Sequence, residues 1–285
     1  MIASLAINTL NGIVFGLILF LVASGLTLSM GLMGYFNLAH GALFAFSGGV
    51  GATVFAWSDS FLVAILASML TAGLIGLVIE RGFLHRITGL FVPQILVTVG
   101  FIFILDNIHI WIWRGTVFQP MTVPSLANTV TIPFTVAQFP LYRIFVIFFV
   151  LVVAAGFFYF DRTRLGAIIR AGMDDSQMVE GMGINVTRIH IFVFAAAAVA
   201  AGLAAGLALP VFGNSYQAGF DILLMALIVT VVGGMGSVLG AFVFSMAAGI
   251  ITTWGKFLFP EAAMFLLYGL MVIVLAFRPS GLFGR

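Results

Sequence analysis

The stretch MIASLAINTLNGIVFGLILFLVASGLTLSMGLMGYFNLAHGALFAFSGGVGATVFAWS, residues 1–58, contains no Asp, Glu, Lys or Arg. A helix rises about 1.5 Å per residue and the hydrocarbon core of a bilayer is about 30 Å thick, so about 20 apolar residues cross it. Uncharged sequence of this length belongs in a membrane, and it is broken once: residues 29–41, SMGLMGYFNLAHG, are punctuated by Gly and carry Asn37 and His40 between two apolar runs. The opening residues lack the basic segment of a secretory signal and continue into more apolar sequence, so they read as a retained first span.

The rest of the chain has the same character. Of 285 residues, 63% are hydrophobic and 7% charged, against about 25% charged in soluble domains. A soluble globule is excluded. The formal net charge of +2 rests on 11 basic and nine acidic residues, a balance that does not point to nucleic acid. There is no Cys, hence no disulfide framework, thiolate metal site or cysteine nucleophile. His40, His85, His109 and His190 are scattered rather than spaced as ligand pairs, so no metal or other directly bound cofactor is expected.

Apolar stretches place spans at about 8–28, 41–57, 61–79, 93–113, 142–160, 190–210, 222–253 and 262–277. The seventh is too long for one straight crossing and carries Gly233, Gly234, Gly236 and Gly240, which predicts two helices meeting at a glycine turn. The expected fold class is therefore an all-α polytopic membrane protein of about eight to nine transmembrane segments with broken or re-entrant helices. Two breaks, near opposite ends of the chain, are the pattern of transporters built from repeats. Asp221, at the start of that broken stretch, is placed to cap the half-helix that follows it, and Glu261 the last span.

Basic residues collect on cytoplasmic loops. Arg81, Arg86, Arg162, Arg164, Arg170, Arg188, Arg278 and Arg285 fall on one side, and Arg114, Arg143 and Lys256 on the other. That puts the N-terminus outside, a loop at about 161–190 inside, and a Pro-containing loop at about 114–142 outside as an irregular cap. The whole of 1–285 reads as one transmembrane domain.

The inner loop, DRTRLGAIIRAGMDDSQMVEGMGINVTRIH, holds eight of the charged residues: Asp161, Arg162, Arg164, Arg170, Asp174, Asp175, Glu180 and Arg188. Asp174, Asp175 or Ser176 can cap a short helix over SQMVEG, and Gly181 or Gly183 can end it in a left-handed conformation. Its apolar face, Met178, Val179 and Met182, suits either docking into another protein's groove or lying on the membrane surface.

The run RTRLGAIIRAGMDDSQMVEGMGINVTRIHIFVFAAAAVAAGLAAGLALP resembles the central region of the inner-membrane permease subunits of ABC importers for branched-chain amino acids. In that family a loop of the form T-R-x-G-x-x-x-R-A…G-I-N precedes an Ala/Gly-rich span. GLTLSMGLMGYFNLAHGALFAFSG, IERGFLHR with QILVTVGFIFILDN, and VVGGMGSVLGAFVFS agree in the same order, so the likeness covers most of the chain. It implies the ABC importer permease fold and a multi-pass protein of the bacterial inner membrane, surrounded by membrane lipid. It implies as partners a second homologous permease subunit, two cytoplasmic ATPase subunits and an external substrate-binding protein. ATP and Mg would sit on the ATPases, and the chain itself contains no G-x-x-x-x-G-K-[ST] loop. Carried onto this sequence, the family's coupling helix falls at about Asp174 to Gly183: Asp174, Asp175 and Glu180 would meet basic groups of the ATPase, and Met178 and Met182 its apolar groove. Gly183, Ile184 and Asn185 match the G-I-N turn, and Arg164 and Arg170 the basic positions.

For the translocation path the candidates are Asn37 and His40, polar groups in a break where irregular backbone is tolerated only inside protein or beside a water-filled cavity, and Thr98. A hydrogen-bonded brace between helices is the competing role. Asp106 lies in a span near Asn107 and His109, with Arg114 close enough in sequence for an ion pair. The path offers no obvious Arg or Lys within a span to hold a carboxylate, which implies a weakly binding path. Gly12/Gly16, Gly202/Gly206 and Gly236/Gly240 are spaced for close helix packing. The function expected is translocation of branched-chain or hydrophobic amino acids, or a related small solute, by a non-catalytic subunit. The alternatives are an ion-coupled secondary transporter, which would need more intramembrane carboxylates than Asp106, and an intramembrane enzyme, for which no H-E-x-x-H or nucleophilic constellation is present.

Overall fold

A computed structural model describes residues 2–34, 37–132 and 137–284. Tyr35, Phe36, Pro133 and Arg285, which the sequence reading draws on, lie outside them. In hydrocarbon every backbone N–H and C=O must be satisfied within its own segment, so the apolar runs are helical. In chain order they are α1 (Ile2–Met33), α2 (Ala39–Ser58), α3 (Phe61–Gly82), α4 (Phe91–Trp113), α5 (Leu141–Asp161), α6 (Arg164–Asp174), α7 (Ser176–Gly181), α8 (Val186–Phe212), α9 (Tyr216–Gly233), α10 (Val238–Leu258) and α11 (Ala263–Phe277). Among the described residues eight helices are long and apolar enough to cross a membrane, α1 to α5 and α8 to α10, and α11 adds a shorter apolar stretch, Phe265–Phe277.

Burial separates centre from rim. The membrane-spanning windows of α1 and α8 are 83% and 72% buried, those of α4 and α5 only 17% and 22%. α1 packs along α10 and α8, α8 also along α3, and α2 fills the space between α3, α8 and α9. Close approach depends on glycine. A Cβ at Gly12 or Gly16 would run into the α10 backbone at Ile250 and Ser245, and one at Gly249 into the backbone of Gly12 and Gly16. Gly202 and Gly206 do the same for α8 against Ser68 and Ile65 of α3. Gly236 belongs to a different class: it stands at φ 79° in a turn rather than on a packed face.

Both expected breaks are present. α1 ends at Gly34, φ 71°, and the chain restarts at α2. The long seventh stretch divides into α9 and α10 around Gly234 and Gly236, both at positive φ. Residues 281–284 fold back onto this turn, where the Leu282 amide donates to the Val232 carbonyl at 2.8 Å and the Phe283 amide to Gly233 at 3.1 Å.

The cap expected at Asp221 is not formed. α9 starts earlier, because the Ser215 hydroxyl accepts from the Ala218 amide at 3.2 Å, and Asp221 sits inside the helix. α11 has no side-chain cap, and Glu261 lies in a 3-10 turn before it. Asp106 and Arg114 form no ion pair among the described residues. The outer loop is more ordered than an irregular cap: β1 (Thr129–Thr131) pairs antiparallel with β2 (Gln138–Pro140), and Phe118 exchanges two backbone hydrogen bonds with Asn214.

Candidate functional site

The inner loop is built from two helices, where the sequence pointed only to the second. Thr163 caps α6, its hydroxyl accepting from the Gly166 amide at 3.4 Å. Gly166 has backbone carbonyls of Phe160 and Asp161 where a side chain would stand, which accounts for the glycine of T-R-x-G. Ile169 is buried against Val193, seating α6 on α8. Arg170 turns back to Asp161, with 2.6 Å between guanidinium and carboxylate, and also donates to the Asp161 main-chain carbonyl. Its geometry therefore serves the loop's own shape. Arg164 is exposed at the start of α6.

Of the three candidate caps of α7, Asp175 is the one used, accepting from the Met178 amide at 3.0 Å. Val179 is buried, whereas Met178 and Met182 are 67% and 63% exposed on the opposite side. Gly183 takes φ 80° to end the helix, and Asn185 then caps α8 by accepting from the Arg188 amide at 3.0 Å. The G-I-N triplet is thus a left-handed stop, a linker and a helix start. Asp174, Asp175 and Glu180 are all exposed beside it.

A cavity of about 550 Å³ lies behind this loop, lined by Met30, Gly31, Arg170, Met173 and Gly236 among others. The Met173 sulfur fills the space beside Gly31 and Gly236. α6 therefore touches both the inner end of α1 and the α9–α10 turn. Thr27 ties those two together, accepting from the Gly236 amide at 3.1 Å. Nothing in the sequence marks Thr27, a lone hydroxyl in an apolar helix.

Asn37 and His40 are 2% and 0% exposed. His40 Nε2 lies 3.1 Å from the Val22 carbonyl of α1, which is the bracing role, while His40 Nδ1 and Asn37 Oδ1 have no partner among the described residues. Thr98 is buried too, but its hydroxyl donates to Ile95 of its own helix at 2.9 Å. Asn37 and His40 stand together at the start of α2; Thr98 stands apart on α4. A second cavity, about 290 Å³, opens near the outer loop between α9, α10 and α11 and includes Asp221, Thr252 and Lys256. α10 runs on to Leu258, which brings Lys256 into its last turn.

The model of the family described as branched-chain amino acid transport system / permease component matches residues 8–275. The chain belongs to this permease family. It is 28% identical to the high-affinity branched-chain amino acid transport system permease protein BraD of Pseudomonas aeruginosa, over 96% of this chain and 94% of that one. It is 25% identical to LivH of Escherichia coli, a permease protein of the same description, with the same coverage. Its fold is similar to a chain of PsaBC from Streptococcus pneumoniae in complex with Fab, at a TM-score of 0.51 and 15% identity over 93% of this chain and 90% of that one. Family membership and eight membrane-length helices make the chain a multi-pass inner-membrane permease subunit of an amino-acid transport system.

Proposed function

We propose that this permease is the non-catalytic membrane subunit of an ATP-driven importer for branched-chain or similarly hydrophobic amino acids. It would pair with a second permease of the same kind, sit on two cytoplasmic ATPases that hold the ATP and Mg, and receive substrate from an external binding protein. The family match over residues 8–275 carries this reading. The inner loop supports it: a short capped helix that turns two methionines outward beside three carboxylates is shaped to enter an apolar groove rimmed with basic groups. Movement of α7 would pass through α6 and Met173 to Gly31 and Gly236, and so to the inner ends of α1, α9 and α10. Asn37 and His40, and more weakly Thr98, would line or brace the path that these helices open.

Affinity purification of the chain from its native membrane, followed by mass spectrometry, tests the assembly. Recovery of a second permease and an ATPase, with ATP-dependent leucine uptake in vesicles, is the result expected. Recovery of this chain alone, with uptake that ignores ATP and collapses with the ion gradient, would overturn it in favour of a secondary transporter.

A further inference from the structure

A branched-chain amino acid carries a carboxylate, an ammonium group and an apolar side chain, and the outer cavity presents a complement to each. Lys256 and Asp221 both line it, and neither has an ion-pair or hydrogen-bond partner among the described residues. Thr252 lines it as well, one helical turn before Lys256 on the same face of α10. Thr252 is only 5% exposed, yet its hydroxyl has no partner among the described residues. A helical Ser or Thr normally donates back to the carbonyl four residues earlier, as Thr53 and Ser68 do here. Thr252 forgoes that bond at the wall of a cavity. The remaining surface is mostly apolar, with Phe15, Phe44, Ile222 and Leu267. The volume of about 290 Å³ is at the small end of ligand pockets, which start at roughly 300 Å³.

We infer that this cavity binds the zwitterion of a small apolar amino acid, with Lys256 and Thr252 on the carboxylate, Asp221 on the ammonium and the aromatic and aliphatic wall on the side chain. The proposal rests on the amino-acid reading above and adds a site on the outer side, whose wall at Phe44 is one turn of α2 beyond His40. Two opposite charges that do not close on each other select a neutral, dipolar ligand. Asp221 and Lys256 are both exposed at the cavity's edge; a simple anion would meet Asp221, and a simple cation would meet Lys256, each with an uncompensated repulsion.

The chain has no Cys, so Ala218→Cys, a further residue lining the cavity, gives it one reporter thiol. The complete transporter in vesicles is labelled from outside with a membrane-impermeant thiol reagent, and the labelled fraction of this chain is read by mass. Leucine is expected to slow labelling at least fivefold. Leucinamide, lacking the carboxylate, and 4-methyl-2-oxopentanoate, lacking the ammonium, are expected to protect poorly, and protection is expected to vanish when Lys256→Gln or Asp221→Asn is added. Labelling blocked with or without leucine would mean that another subunit covers the cavity and overturns the proposal. So would leucine protection that survives both substitutions, or no protection in vesicles that do take up leucine. Absence of leucine uptake by the unaltered complex would instead remove the amino-acid reading on which the site rests.

Discussion

Arg170 closes the inner loop on itself by pairing with Asp161, the last residue of α5, at 2.6 Å. The two side chains are 31% and 39% exposed, so solvent screens the pair and its ionic contribution is about 1 kcal/mol or less. Arg170→Ala should leave the thermal midpoint of the purified complex within a few degrees. The orientation of α6 depends on it more heavily, so chymotrypsin should cut near Leu165 to Met173 several-fold faster. An unchanged cleavage rate would show that Ile169 alone holds α6 in place.

Met178 and Met182 face outward from a helix that is otherwise anchored by Val179. Met178→Asp with Met182→Asp should abolish ATP-driven uptake and reduce ATPase recovery about tenfold, with helical content unaltered. Asp174→Lys with Glu180→Lys should do the same by reversing charge. Normal uptake and normal assembly in either pair would sink the assignment of α7 as the ATPase contact.

Gly249 meets Gly12 and Gly16 backbone to backbone. A valine at 249 forces α1 and α10 apart, and overpacking of this kind costs typically about 1–3 kcal/mol. Gly249→Val should lower the melting temperature in detergent markedly, while Gly100→Ala, which meets open space, should leave it nearly unchanged. Equal melting of the two variants would contradict the close crossing.

Tyr142 at the start of α5 donates its buried hydroxyl to the Leu207 carbonyl of α8 at 2.8 Å. Tyr142→Phe removes that bond between the two helices, at a cost of about 0.5–1.5 kcal/mol. The expected readout is faster hydrogen exchange in the outer turns of α8 and a lower melting temperature. Exchange confined to α5 would show that the bond does not link the two helices.

Spans and breaks were legible because a membrane turns hydrophobicity into length: Gly34, Gly234 and Gly236 interrupt uncharged runs too long for one helix. The cap at Asp175 was legible because it is local chemistry between residues three apart, whereas Asn185, matched only as part of the G-I-N turn, was not read as the cap of α8 that it is. α6 was not, since Gly166, Gly172 and three charges disguise a helix that the Thr163 cap and the burial of Ile169 stabilise. The outer cavity was equally hidden. Asp221 and Lys256 are distant in sequence, each looks like an ordinary interfacial charge, and only the antiparallel packing of α9 on α10 makes them neighbours of one space.

The backfolded residues 281–284 impose an order on biosynthesis. Every membrane-length helix can be inserted while the carbonyls of Val232 and Gly233 still lack their donors, because Leu282 and Phe283 leave the ribosome long after the turn they complete. The α9–α10 turn is thus finished last, and a nascent chain halted just short of those residues would hold all its spans in the bilayer with that inner turn still open to the cytoplasm.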